Sequence, residues 1–368
     1  MQTGNQVNAL NPASYAGVDS LTMLFDMGLS GQLTNFKEGG TRVNAKNADF
    51  DYAVGSFRAF RNLGVGFGVL PYTNIGYKYS SSTYLDNTNG TITETYTGSG
   101  GLHQAFVGFG WRPLKPLSIG VNVSYLWGSY EKSVVSSSTT YIKSLKKLYT
   151  ASVHNYKLDL GVQWQQPLGN KDVLTIGAIM GVGHKLKADP RLDVINVNNA
   201  DTTSFKVTDG LSVPTSYGVG LSYRHAEMLL VGADVTLQKW GSVDYPDAVN
   251  NQYVLRSGLL KDAYRVNVGG EWTPDIRSRK FLDRIHYRLG AGYATPYYII
   301  NGQDGPKELS VSAGFGIPIV NMMNNRSILN ISAQWVHSSA DGLLTENTYR
   351  INIGLTFNES WFKKWKVE

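Results

Sequence analysis

The sequence predicts an all-β protein: a transmembrane, antiparallel, up-and-down β-barrel of about fourteen strands with a short N-terminal plug segment. Three observations lead to this prediction. Apolar and small polar residues alternate with period two along nearly the whole chain. The alternating runs are about 10–17 residues long, against about 5–6 for a soluble strand and about 9–11 for a membrane strand. Short and long connections also follow one another in turn, as the two ends of a membrane barrel require.

The last run shows the alternation most clearly. Its apolar positions are Tyr349, Ile351, Ile353, Leu355 and Phe357, and the residues between them are polar or small. Fourteen such runs can be placed, and an even number is typical of bacterial membrane barrels. Their approximate centres are Phe25, Tyr52, Phe67, Val107, Val121, Leu160, Ala178, Val219, Ala233, Val268, Leu289, Ala313, Ile331 and Ile353.

Composition decides between a membrane barrel and a soluble sandwich, which would show the same alternation with its apolar face inside. Charged residues make up 17% of the chain, and glycine accounts for 40 of its 368 residues. A soluble surface usually carries many Lys and Glu residues, whereas the polar face here is rich in Gly, Ser, Asn and Thr. The apolar face is therefore expected to meet lipid, in a closed sheet that satisfies every backbone polar group.

The connections predict an orientation. Short ones follow even-numbered runs, at Arg61–Asn62, Arg112–Pro116, Gln165–Asp172 and Arg224–Glu227, and long ones follow odd-numbered runs, at about 33–47, 79–101, 130–150, 184–212 and 240–260. Short periplasmic turns and long external loops predict a multi-pass protein of the Gram-negative outer membrane with both termini in the periplasm. Tryptophans at the run ends would form the two interfacial girdles; they are Trp111, Trp164, Trp272, Trp127, Trp240 and Trp335.

Composition also argues against several function classes. The chain has no cysteine, and its six histidines show no paired spacing for a metal. We therefore expect no catalytic site, no metal and no cofactor, and hence no enzyme. The net charge of +6, from 34 basic and 28 acidic residues, is too small to indicate nucleic acid as a partner. Outer-membrane lipids and a hydrophobic ligand are the expected partners, with other outer-membrane proteins as the alternative.

A short motif precedes the first run. Asn11-Pro12-Ala13 interrupts the alternation, because proline cannot continue a central strand. With the softer matches at 66–72, 211–214 and 314–318, the chain resembles a divergent branch of the FadL/TodX family of outer-membrane barrels. The resemblance implies a plug at 1–18, a barrel at 19–362 and a basic periplasmic tail at 363–368. That plug is shorter than the family's, so we expect that part of it is missing or that the chain is processed or engineered.

The same resemblance implies passage of fatty-acid-like molecules and their lateral exit near a kink in the third strand. Pro71 lies in that run, and its alternative role is a structural bulge at the membrane edge. Five apolar residues occur in the inward phase and could form a ligand pocket or pack against the plug: Leu24, Phe106, Leu126, Ile179 and Leu230. Arg265, Arg288 and Arg350 could bind a carboxylate or brace the barrel wall.

Two functions follow from these features. The first is passive uptake of hydrophobic small molecules through the lumen and a lateral opening. The second is a barrel that transports nothing and serves as a subunit of an outer-membrane secretion or assembly complex, with its long loops as docking surfaces.

Overall fold

The computed structural model describes residues 6–38, 41–85, 90–138, 144–249, 252–300, 302–319, 327–342 and 344–360. Long strands dominate this part of the chain, and fourteen of them form one barrel. We number these β1 Thr22–Glu38, β2 Thr41–Phe60, β3 Leu63–Leu85, β4 Gly90–Trp111, β5 Leu117–Ser138, β6 Leu145–Leu168, β7 Asp172–Gly181, β8 Ser216–His225, β9 Leu229–Gln238, β10 Ala263–Trp272, β11 His286–Ala294, β12 Lys307–Ile319, β13 Ser327–Ser339 and β14 Thr345–Ser360.

The barrel closes through its first and last strands. Each strand pairs antiparallel with its neighbours in sequence, and β1 pairs with β14 from Thr22–Ser360 to Lys37–Thr345. All fourteen run centres expected from the sequence lie inside these fourteen strands, so the predicted fold class is confirmed. Both ends of the barrel chain, at Thr22 and Ser360, lie at the end that carries the short turns, which we call the short-turn end.

The sheet places its apolar side outward. Val219, Leu289 and Ile351 are 61%, 71% and 59% exposed on the outside of the barrel, whereas the polar residues Thr356 and Asn358 are fully buried on the inside. This inversion is the arrangement of a transmembrane barrel, whose outer band faces lipid. Among the described residues, no helix is both long enough and apolar enough to cross a membrane.

The barrel wall is much taller on one side than on the other. Strands β7–β11 have 9 or 10 residues, but β3–β6 have 22 to 24. The expected long loops at 33–47, 79–101 and 130–150 are therefore wrong as loops, because most of their residues continue as paired strands. Side chains support the pairing, since Ser80 bonds Thr95 at 2.9 Å and Ser82 bonds Thr93 at 3.0 Å.

Two further connections, between β7 and β8 and between β9 and β10, are long as expected and contain short hairpins. In the first, His184–Leu186 pairs with Leu211–Val213, and Arg191–Asn196 pairs with both β6 and Thr202–Lys206. In the second, Tyr245–Val249 pairs with Gln252–Arg256. Trp127 does not end a strand as expected, because β5 continues past it to Ser138.

Candidate functional site: plug, lumen and lateral seam

The N-terminal segment lies inside the barrel. Residues Pro12–Gly17 form a 3₁₀ helix, and the Asn11 side chain caps it by accepting a hydrogen bond from the Ala13 N–H at 3.1 Å. The Asn11 amide also donates to the Val162 and Ala178 carbonyls at 3.3 and 3.4 Å. One asparagine thus fixes both the turn and its attachment to β6 and β7. The expected plug residues Asn11, Pro12 and Ala13 are all buried here.

Glycines on the inner wall make room for this segment. A Cβ added at Gly66 would lie 2.5 Å from the Tyr15 ring, and one at Gly110 would lie 2.7 Å from the Ala16 nitrogen. Side chains at these positions would push the segment away from the wall. The same holds for further glycines on β3, β4, β5 and β6, at Gly64, Gly108, Gly120 and Gly161.

The inward apolar candidates do not gather into one pocket. Phe106 packs with Tyr15 of the N-terminal segment and with Val54, in a small buried cluster. Leu126 belongs to a second cluster, which is completed by the connection between β7 and β8; its members are Ala151, Val153, Leu186, Ala188, Leu211 and Val213. Leu24 is fully buried, whereas Ile179 and Leu230 are half-buried. The buried members thus pack against chain segments inside the barrel.

The three candidate arginines do not converge either. Arg288 Nε donates to Glu271 Oε2 at 2.6 Å and Arg288 Nη1 to Asn330 Oδ1 at 2.6 Å. Arg350 Nη2 donates to Gln32 Oε1 at 2.8 Å, and Arg265 lies 3.8 Å from Glu308. Each arginine has its own partner on an adjacent strand or the next but one, which is the arrangement expected of bracing contacts along the barrel wall.

A polar cavity of about 490 Å³ lies in the lumen and is lined by residues of β1–β3 and β10–β14. Its lining consists mainly of amides, hydroxyls and charged groups, among them Gln32, Asn47, Asp49, Asn74, Arg265 and Arg350. Ligand pockets for apolar molecules are lined mainly by apolar side chains. No group of three or more His, Asp or Glu side chains within the described ranges could hold a metal ion.

The barrel wall is split beside this cavity. Strands β2 and β3 pair only from Phe60–Leu63 to Ala53–Val69, although β2 stays paired with β1 up to Thr41 and β3 with β4 up to Leu85. We call the facing edges, 41–52 of β2 and 70–85 of β3, the seam. Pro71 lies on it, next to the bulge that its position in the strand predicts, between Pro71 and Thr73. The cavity lining includes residues from both edges.

A side-chain hydrogen bond crosses the seam: Asn74 Nδ2 donates to Asp49 Oδ1 at 3.2 Å. This pair could not be predicted, since nothing in the sequence shows where the β2–β3 ladder ends. The glycines that make room for the N-terminal segment were also missed. Their signal was present, because Gly64 and Gly66, like Gly108 and Gly110, recur at the two-residue spacing of one strand face.

Comparison with solved structures shows the same fold. The toluene transporter TodX of Pseudomonas putida has a TM-score of 0.63 and 16% identity, covering 98% of this chain and 94% of its own. The toluene transporter TbuX of Ralstonia pickettii has a TM-score of 0.63 and 14% identity, covering 94% of this chain and 92% of its own. A FadL homologue of Pseudomonas aeruginosa has a TM-score of 0.63 and 12% identity, covering 94% of this chain and 92% of its own. At these identities the likeness shows the fold alone, and it confirms the divergent FadL/TodX-like barrel.

No curated relative matches the chain. A family model described as BamG matches residues 1–368, the whole sequence, and the chain therefore belongs to the BamG family.

Proposed function

We propose that the protein is a subunit of a protein complex in the outer membrane of a Gram-negative cell and that its tall side is the docking surface. The short-turn end, with both termini, faces the periplasm, and the opposite end, above which the tall side rises, faces the exterior. Residues 73–85, 90–102, 128–138 and 145–153 are four neighbouring strand segments of β3–β6 beyond the membrane band, which we call the wall. Arg191–Asn196 and Thr202–Lys206 continue the same sheet past β6.

The dimensions of the wall support this role. At about 3.3 Å per residue and about 4.8 Å between strands, it is roughly 40 Å tall and 19 Å wide. One face therefore offers about 760 Å², close to the roughly 800 Å² that each partner contributes to a standard protein interface. A passage for small molecules has no need of a sheet that continues this far beyond the membrane.

Glycines separate the wall from the barrel below it. Gly100 and Gly128 on neighbouring strands have φ values of +103° and +143°, a backbone conformation that other residues rarely adopt. The wall can thus bend away from the barrel axis at this line. Its cross-strand Ser–Thr bonds keep it a sheet without the support of lipid.

Passive uptake of a hydrophobic molecule is the second candidate, and the seam favours it. Named relatives of the same fold are toluene transporters, and here a gap near Pro71 adjoins the lumen. The polar lining of the cavity weighs against this function, as do the packing of Phe106 and Leu126 and the separate partners of the three arginines. An apolar molecule would meet charged and amide groups along most of this route.

Native extraction followed by mass measurement and lipid analysis separates the two functions. The complex role predicts a particle that holds this chain and other proteins in fixed ratio. Deleting residues 78–97 bonds Tyr77 directly to Gly98, so that these two residues become the turn between the paired positions Gly76 and Ser99. The deletion removes most of one hairpin of the wall. We expect this variant to remain a heat-modifiable barrel but to leave the complex.

The matched control is Arg350→Gln, which changes the cavity but not the wall and should keep the complex intact. A single-chain particle with a bound apolar compound would contradict the proposal and favour uptake.

A further inference from the structure

The seam between β2 and β3 is an incomplete part of an otherwise closed sheet. We infer that it receives an extended strand from the partner protein, which completes the ladder by strand addition. This inference rests on the proposed function and assigns to the complex a second contact, within the barrel itself.

The first argument concerns backbone hydrogen bonds. The ladders between consecutive strands from β7 to β12 have eight to ten pairs, whereas the β2–β3 ladder has seven. The β2–β3 ladder therefore ends one to three pairs early. In lipid an unpaired backbone group has no water to replace its partner. The upper membrane part of the seam therefore needs hydrogen-bond partners.

The second argument is the shape of the two edges. Both remain extended strands along the seam, because each is held from its other side, β2 by β1 and β3 by β4. Such an edge presents N–H and C=O groups at every second residue, which is a template for another strand. Bulges occur on both sides at similar height, between Gly28 and Leu29 where β1 pairs with β2 and between Pro71 and Thr73 on β3. Bulges bend strands, and here they coincide with the end of the ladder.

The third argument is the chemistry behind the seam. Asn47, Asp49 and Asn74 line both the cavity and the seam. Both asparagines donate to Asp49, and an apolar occupant that separated the edges would break the bond from Asn74 without replacing it. A polypeptide strand supplies donors and acceptors to them and to the free edges, and it can still present apolar side chains outward beside Phe50, which is 44% exposed. Entry of the strand displaces one solvent-exposed side-chain bond, Asn74 to Asp49.

A thiol pair across the seam tests occupancy, and the absence of cysteine from the chain makes every introduced thiol unique. Asp49→Cys with Asn74→Cys is treated with a short bis-methanethiosulfonate linker, in the isolated chain and in the natively extracted particle. We expect the isolated chain to link readily and the particle to link at least about tenfold less, because a strand separates the two edges. The control pair, Ala53→Cys with Val69→Cys at the last rung of the ladder, should link equally in both.

A proline scan identifies the occupant as a strand. Proline at each of positions 44–47 removes one backbone N–H, and successive residues point theirs alternately toward β1 and toward the seam. The complex should be lost at alternate positions only, with heat modifiability kept at those positions. Loss of the complex at all four positions, or at none of them, would show that the occupant does not pair with this edge and would overturn the inference.

Other outcomes separate this inference from the proposed function. Equal linking of the 49–74 pair in both samples, in a particle that does contain other proteins, overturns strand addition alone. A particle that contains only one chain overturns the complex role. A particle with two copies of this chain and no other protein would assign the seam to a second copy and overturn the partner strand.

Discussion

Asn11→Ala tests how the N-terminal segment is held in the barrel. The change removes the cap to Ala13 and the two bonds to the carbonyls of Val162 and Ala178. Loss of an N-cap costs about 1 kcal/mol, and two further bonds at about 0.5–1.5 kcal/mol each raise the total to about 2–4 kcal/mol. Since 1.4 kcal/mol is a factor of ten, undocking of the segment should become about 30-fold to 700-fold more favourable.

Amide hydrogen exchange measures this opening directly. The Ser14 and Val18 amides are bonded within the segment, to the carbonyls of Asn11 and Tyr15. Their exchange should accelerate by the same factor, while amides of the β8–β9 ladder stay unchanged. Asn11→Ser keeps a cap oxygen but loses the two strand bonds, so its effect should be intermediate. An acceleration below about threefold for Asn11→Ala would refute the reasoning that these bonds hold the segment.

Three further predictions concern the plug, the inner cluster and a loop. Gly120→Val places a side chain on the backbone at Ala13, so exchange protection of the plug should vanish while heat modifiability remains; retained protection would contradict the close packing. Leu126→Ala should destabilise its cluster by about 2–5 kcal/mol and speed tryptic cleavage within 182–215, and an unchanged cleavage rate would count against that packing. A hydrogen bond from Lys239 holds the pKa of Asp262 below its usual range. This depressed pKa contributes stability above the unfolded value of about 4, and the contribution is lost as pH falls through the folded pKa. The protection factors of the amides at 239–249 and 252–262, which correct exchange for its intrinsic pH dependence, should therefore fall only below about pH 4, and equal protection at pH 3 and pH 7 would argue against the contact.

The strands could be predicted from sequence because alternation is local and lipid demands it over the whole membrane band. Loop lengths were less predictable, since strands β3–β6 keep pairing through their own backbone bonds well past the length of about 9–11 residues that a membrane strand needs. The seam was the feature that could least be predicted from the sequence. Pro71 marked a bulge, but the end of the ladder at Ala53–Val69 depends on how two strands diverge in space. Apolar residues such as Leu126 were visible as inward positions, yet the distant segment that covers them was not.

Cross-strand amide contacts in lipid nanodiscs test the broken ladder most directly, by NMR of the perdeuterated chain in isolation. The structure predicts contacts between β2 and β3 at pairs such as Ser56–Gly66 and none beyond Ala53–Val69, while β3–β4 contacts continue to Leu85–Gly90. Contacts between β2 and β3 that continue past Val69 toward the hairpin ends would show that the seam is closed. Strand addition would then have no site.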